Sequence, residues 1–340
     1  PVTEQELIEN GIGFNFQRLC KPFITEPVLY ELFQEQAVWV LKNCLRKTKD
    51  GNWELLPKFD TQRKVEIYFA SQQPTDANAR LKQGLFDLIA NVILLDIPNK
   101  DIQKGWQGAF RFDMEKTSSF RFLPNEIKAP LKALYVNYFY QRQDDFWKKE
   151  AIEKLPALKR STNMLICGED LGLVPACVPG VMRDLGLLSL EIQRMPKEPG
   201  AAFLHPEDAP YLSVITPGTH DMSVLRGWWE ENRELSQRFF HEILNEQGDA
   251  PYFCEPWVVQ KIIVQHLHAP AMWAIFQLQD LLGMDAGIRR QNPQEERINI
   301  PANPKHYWRY RMHISLESLI KSEPFNKNIK DMIRESGRGL

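Results

Sequence analysis

The chain has 340 residues, with 42 Lys and Arg against 44 Asp and Glu and a formal net charge of −2. At about 150 residues per domain, this length allows two ordinary domains or one large barrel, each with a sizeable core. The near-neutral balance argues against nucleic acid or an anionic membrane surface as partner, and no apolar run approaches the roughly 20 residues of a membrane span. A content of 43% hydrophobic and 25% charged residues is that of a globular chain rather than a disordered one. Five cysteines, Cys20, Cys44, Cys167, Cys177 and Cys254, are odd in number, widely spaced and without a C-x-x-C pair. That usage argues against a disulfide framework or a zinc site and for a reducing, cytoplasmic setting. The first residue is Pro1 and no signal-peptide pattern follows it, so the chain reads as a piece of a longer one.

In the first 120 residues, Pro27 to Arg46 carries apolar residues at Leu29, Leu32, Phe33, Val38, Val40 and Leu41, with acids early and bases late. This predicts a surface helix. Asp50-Gly51-Asn52 predicts a tight turn, and Gln72 to Asn78, with Pro74, a polar break. A helix is expected over Ala79 to Leu88, a short apolar run over Val92 to Asp96, and a strand within Gly105 to Asp113, where Trp106, Phe110 and Phe112 alternate. Residues 1–120 thus read as a mostly helical segment with a small sheet.

Beyond Pro124 the pattern is more regular. Helices are expected at Ile127 to Gln141 and Asp144 to Leu155, followed by apolar runs at Met164 to Cys167, Leu188 to Glu191 and Leu212 to Ile215, whose starts lie 24 residues apart. That interval suits one strand plus a crossover helix, so the runs predict consecutive βα units of a parallel sheet. A helix is expected at Pro175 to Leu185, with more near Ser223 to Gln247 and Trp257 to Leu267 and a fourth apolar run at Trp273 to Leu278. Four such units describe half a barrel or half an open sheet.

In parallel α/β folds functional side chains lie beyond the carboxyl ends of strands. Glu169, after the first run, and Asp221, after the third, occupy corresponding positions two strands apart, each near a glycine, Gly168 or Gly218. The placement suits two carboxyl groups converging on one pocket, as glycosidic-bond chemistry requires. It equally suits a plain helix N-cap at Asp221, and His220 alone suits a structural hydrogen-bonding role.

Cys167-Gly168-Glu169-Asp170-Leu171-Gly172 with Val174-Pro175 resembles the acid/base motif of the 4-α-glucanotransferase (amylomaltase, disproportionating enzyme) family, glycoside hydrolase family 77. Gly218-Thr219-His220-Asp221 resembles its later His-Asp motif. Gln279-Asp280-Leu281-Leu282-Gly283 and Glu296-Arg297-Ile298-Asn299-Ile300-Pro301, followed by Trp308-Arg309-Tyr310-Arg311, agree in the family's order. Leu188 to Pro196, Gly227 to Glu230 and Lys58 to Arg63 resemble the longer plant-cytosolic and bacterial members, which carry an insert between nucleophile and acid/base.

The resemblance implies an α/β fold of the (β/α)8 TIM-barrel type. This chain would hold its C-terminal half, about strands 5 to 8, at residues 121–340, and the mostly helical inserted segment at residues 1–120. It implies transfer of α-1,4-glucan units by a retaining mechanism, with Glu169 as acid/base, Asp221 stabilising the transition state and His220 and Asn299 binding sugar. Malto-oligosaccharides or other α-glucans are the implied partners, with no metal and no cofactor. The family's nucleophile sits in an Arg-x-Asp-His-type motif, which this sequence lacks; Arg111-Phe112-Asp113 is the nearest imitation and is followed by Met114. Asp113 is therefore read as structural, and the nucleophile is expected upstream of Pro1. A hydrolase with the same acid, or a noncatalytic glucan-binding protein, is the alternative. Trp228 and Trp229 are read as helix packing, Tyr307, Trp308 and Tyr310 as groups able to stack on sugar rings, and His266-x-His268 as a helix surface rather than a metal site.

Overall fold

Residues 76–90 show how the chain builds its helices. Thr75 accepts a hydrogen bond from the Asn78 amide, Asp76 lies in the first turn, and Leu81, Leu85 and Leu88 recur at helical spacing and are buried. Cap, charge and periodicity agree. The computed structural model describes residues 1–13, 17–98, 105–172, 174–198 and 200–339, and these divide into two units, Pro1–Asp144 and Asp145–Leu340.

The first unit begins with β1 (Val2–Thr3), α1 (Glu4–Glu9), α2 (Gln17–Cys20), α3 (Glu26–Phe33) and α4 (Ala37–Asn43). The hairpin β2 (Leu45–Lys47) and β3 (Trp53–Leu55), α5 (Gln62–Ala70), α6 (Asp76–Ala90), β4 (Leu94–Asp96) and β5 (Gln107–Phe110) follow. Its last elements are α7 (Ser118–Arg121), α8 (Asn125–Val136) and a π-helical turn at Asn137–Arg142. The sheet is antiparallel in the order β1-β5-β4. One apolar cluster, with Ile93, Phe110, Met114 and Leu131, covers that sheet; a second, with Phe33, Val40, Phe59 and Leu85, joins α3 to α6. The turn at Gly51, where φ is +80°, closes the hairpin as expected.

The single surface helix expected over residues 27–46 does not form. Gln34 adopts φ +50°, a 3-10 turn spans Gln34–Gln36, and Leu45 already pairs with Leu55. The segment does lie at the surface, burying Val28, Leu29, Phe33, Ala37 and Val40 while Tyr30, Glu31, Glu35, Val38 and Trp39 are exposed. The break turns Phe33 onto α6, where its ring lies so near Gly84 that an added Cβ would stand 2.5 Å from it.

The second unit contains α9 (Gln143–Arg160), α10 (Val178–Leu185), β6 (Ser189–Ile192), β7 (Ser213–Thr216), α11 (Leu225–Glu231), α12 (Arg233–Glu242) and α13 (Pro256–His268). It ends with β8 (Trp273–Ala274), α14 (Leu278–Leu282), α15 (Leu316–Lys321) and α16 (Glu323–Glu335). Strands β6, β7 and β8 are neighbours in that order and parallel, with Leu190 opposite Val214 and Ile215 opposite Ala274. The chain is thus α/β, with a parallel sheet in this unit. Gly186, at φ +62°, ends α10; its amide donates to Arg183 and that of Leu187 to Met182, which turns the chain directly into β6.

Three expectations are corrected. Residues 164–167 are not a strand: Cys167 forms one parallel bridge to Leu188, while Met164 and Leu165 are 76% and 53% exposed, so their apolar character is not matched by burial. The helix expected to run on from Ser223 to Gln247 is divided at Asn232, whose side chain caps α12. His266 is fully buried on α13, because it continues the inward face of Val259, Ile262 and Ile263. Trp229 packs against Phe239 in the main apolar cluster and donates its indole N–H to the Pro251 carbonyl at 2.9 Å.

The Phe33–Gly84 contact carries a stability test. Gly84→Ala should raise helix propensity by about 0.5–1 kcal/mol, but overpacking against a buried ring costs about 1–3 kcal/mol. Urea unfolding should show a net loss, and a gain in stability would mean that Phe33 has room to move.

Candidate active site

The segment after β7 is shaped by groups drawn from the N-cap and first turn of α14. The Gln277 side-chain amide donates to the Thr219 and Gly218 carbonyls at 3.2 and 3.4 Å. Asp280, buried on α14, accepts from the Leu225 amide at 2.8 Å, so the first turn of α11 is capped by a carboxyl from a distant helix. Asp221 therefore does not cap that helix. Its carboxylate is exposed and accepts a hydrogen bond from the Asn299 side-chain amide at 2.6 Å. His220 Nε2 lies 3.5 Å from the other carboxylate oxygen, and the His220 ring sits 5.0 Å from that of Trp308, centre to centre.

Asn299 is held by its own neighbours. Arg297 Nε donates to the Asn299 carbonyl at 3.0 Å and its Nη1 lies 3.6 Å from Glu231 on α11. Glu296 is buried and meets Arg226 of α11 at 3.3 Å, while Arg226 also donates to the Arg290 carbonyl at 2.7 Å. Burial raises the Glu296 carboxyl above its ordinary range and lowers Arg226; their mutual charge opposes both shifts. Gln279 closes the loop by donating to the Glu296 carbonyl at 3.2 Å. Three of the motifs singled out in the sequence thus meet in one network.

Glu169 stands apart from that network. It is exposed, it follows Gly168, whose amide donates to Leu188 at 2.8 Å, and it precedes buried Asp170. Among the described residues no hydrogen bond or ion pair joins Glu169 to Asp221, His220 or Asn299. Asp113, in the other unit, adopts φ +58°, pairs with Lys116 at 2.8 Å and donates its amide to the Tyr135 hydroxyl at 3.2 Å. No group of three or more potential metal ligands occurs among the described residues.

The glycine of the Gly-Thr-His-Asp string is required by a close side-chain approach. A Cβ on Gly218 would overlap the buried Arg194 guanidinium, whose Nε donates to the Pro217 carbonyl at 2.8 Å. Arg194, Gln277 and the capping role of Asp280 were missed by the sequence reading. The signal available was an Arg two residues beyond the end of β6, in Gln193-Arg194-Met195-Pro196.

Two buried titrating groups in this region oppose each other. Burial pushes the Asp280 carboxyl from 3.8 up to about 6, against the pull of Arg194 and the Leu225 amide, and pushes His266 from 6.5 down to about 4. As pH rises between these limits, unfolded Asp280 releases a proton that the folded form keeps, so its contribution falls. Unfolded His266 gives up a proton that the folded form never bound, so its contribution rises. Asp280→Asn keeps an oxygen for the Leu225 amide and removes the first term. Its stability should climb more steeply with pH between 4 and 6 than that of the native chain, measured by urea unfolding; equal slopes would show Asp280 ionised in the fold.

The family model of the 4-alpha-glucanotransferases matches residues 39–317. The 4-alpha-glucanotransferase DPE2 of Oryza sativa subsp. japonica is 38% identical over 343 residues, covering 100% of this chain and 36% of the relative. The 4-alpha-glucanotransferase of Chlamydia pneumoniae is 29% identical over 188 residues, covering 54% of this chain and 35% of the relative. The chain thus spans about a third of the length of these curated relatives. The amylomaltase from Streptococcus agalactiae in complex with acarbose aligns at 17% identity and a TM-score of 0.44, over 73% of this chain and 52% of that one. With a family model matched over most of its length and a relative of this identity along all of it, the chain belongs to the 4-alpha-glucanotransferase family.

Proposed function

We propose that the protein carrying this chain transfers α-1,4-glucan or glucosyl units from maltose or maltodextrin donors to the 4-hydroxyl of acceptor sugars, by a retaining double displacement. The observation that carries the reading is the exposed Asp221 carboxylate, oriented by Asn299 at 2.6 Å and flanked by His220, at the carboxyl end of a parallel strand. A carboxylate fixed in this way accepts hydroxyl hydrogen bonds from a sugar ring and favours the positive charge that develops at its anomeric carbon. His220 and Asn299 offer further ring contacts, and Trp308, packed on His220, an apolar face for sugar C–H groups.

Glu169, exposed to solvent on the neighbouring segment, is the acid/base. It protonates the departing glycosidic oxygen and then takes the proton of the acceptor hydroxyl, the reversal that microscopic reversibility demands. The covalent carboxylate is assigned to a part of the protein outside these residues, since Asp113 is engaged with Lys116 in a left-handed turn and no Arg-x-Asp-His occurs in the chain. The architecture we infer is a (β/α)8 barrel. Its strands 5 to 8 would be the Cys167 bridge and β6, β7 and β8, which run parallel and in sequential order as barrel strands do. Residues 1–120 are the inserted segment and residues 121–340 belong to the barrel. The cysteine usage favours a cytoplasmic setting; among the described residues no helix is long and apolar enough to cross a membrane.

Glu169→Gln keeps the shape of the side chain and removes its proton. In the complete protein, transfer from maltose should fall by about 10²–10⁴-fold with the thermal midpoint unchanged, while the native enzyme releases glucose together with longer oligosaccharides. Near-normal turnover of the variant removes Glu169 from this role, and glucose as sole product replaces transfer by hydrolysis.

A further inference from the structure

We propose that Lys197 is a positioning residue for the acid/base: it holds Glu169 in place through Asp170. The inference rests on the role given to Glu169 above. The problem it answers is mechanical. Proton transfer demands a carboxyl fixed to within a fraction of an ångström, yet the segment bearing Glu169 joins the sheet by one bridge, at Cys167, and Met164 and Leu165 before it are exposed.

Side chains continue the attachment where the backbone ladder stops. Gly168 donates its amide to the Leu188 carbonyl at 2.8 Å, and two residues on, the Asp170 carboxylate accepts the Leu190 amide at 3.0 Å. Asp170 therefore pairs with β6 on behalf of the missing strand. Its second oxygen is bound by Lys197 Nζ at 2.6 Å, and the same ammonium reaches Glu191 of β6 at 2.7 Å, whose carboxylate also accepts the Ser189 hydroxyl at 2.7 Å.

Charge explains why the lysine is needed. The Asp170 and Glu191 side chains are only 5% and 11% exposed, and two carboxylates brought so near each other repel and lose their water. One cation between them satisfies both, and breaking such a buried set by removing one partner leaves uncompensated charge. Without Lys197, Asp170 is driven toward solvent, the Leu190 contact is lost, and Glu169, covalently next to Asp170, moves with it. Among the described residues Lys197 makes its hydrogen bonds to Asp170 and Glu191 and none to Glu169 or to an assigned sugar-binding residue, so it acts through Asp170.

The test separates misplacement of the acid/base from general damage. With α-glucosyl fluoride the enzyme carboxylate bonds to the anomeric carbon as the C–F bond breaks and fluoride leaves unprotonated, and azide then attacks that carbon while the carboxylate departs; neither step needs Glu169. In the complete protein, Lys197→Met should lower kcat on maltose by about 10²-fold, the order expected for an ångström of misplacement, while turnover of α-glucosyl fluoride with azide is spared. Lys197→Arg, which keeps the cation, should recover most of the maltose activity. Asp170→Ala provides the same test should Lys197→Met fold poorly, since it removes the acceptor of the Leu190 amide together with the partner of Lys197. Equal losses on both donors, or no loss on maltose, overturn the inference. Glu169→Gln is run beside them: if it shows the donor-selective loss and the Lys197 and Asp170 variants do not, only the positioning role falls, and if it does not, the acid/base assignment falls with it.

Discussion

An amide at the first turn of a helix has no partner in that helix, and at the start of α11 this amide lies inside the protein. Asp280 meets it, and because Asp280 comes from α14, 55 residues further on, the bond at 2.8 Å fixes α14 against α11. Gln277, three residues before Asp280, then holds the Gly218 and Thr219 carbonyls. The loop carrying His220 and Asp221 is thereby attached at its start by Gln277 and at its end by Asp280. Everything proposed for Asp221 depends on that double attachment, since the carboxylate itself is exposed and makes few contacts of its own.

Charged groups in the interior do the remaining positioning, at a cost that hydrophobic residues would not incur. Arg226 and Glu296 are 5% and 1% exposed, and Arg194 is buried under Gly218. What such groups supply is direction: a guanidinium has several donors in a fixed fork, and Arg226 uses two of its nitrogens on Glu296 and on the carbonyls of Arg290 and Gln291. The irregular chain from residue 290 to 299 has little secondary structure to define it. Its course is set by these bonds, and Asn299 reaches Asp221 because of them.

Local order was legible in the sequence and long-range order was not. The spacing of Leu81, Leu85 and Leu88 announced α6, although the helix starts at Asp76, inside the segment read as a polar break, and the evenly spaced apolar runs announced β6 and β7 to within a residue. The break at Gln34 had no local signature, because a positive φ at glutamine is imposed from outside, here by the fit of Phe33 on Gly84. Met164 to Cys167 carried the composition of a strand but pairs only at its last residue. His266 shows a signal that was present and misread: its helical spacing from Val259, Ile262 and Ile263 puts it on the inward face, and only its polarity suggested the surface. The site motifs were visible as short strings, yet the strings do not show that Asp280 caps α11 or that Asn299 meets Asp221, contacts between residues 55 and 78 positions apart.

The two carboxylates assigned to chemistry are consequently supported by different physics. Asp221 depends on neutral donors, Gln277 and Asn299, and on a backbone bond to Asp280, all short-range and geometrically exacting. Glu169 depends on an ion cluster, Asp170 with Lys197 and Glu191, whose strength follows from burial and opposite charge. The difference matches the tasks. A group that only accepts hydrogen bonds from a sugar needs a fixed direction, whereas a group that gives up and recovers a proton changes charge in each cycle, and its scaffold must hold while that happens. Asp170 carries the attachment with a carboxylate paired to Lys197, so the segment is anchored by a residue that takes no part in the proton transfer assigned to Glu169.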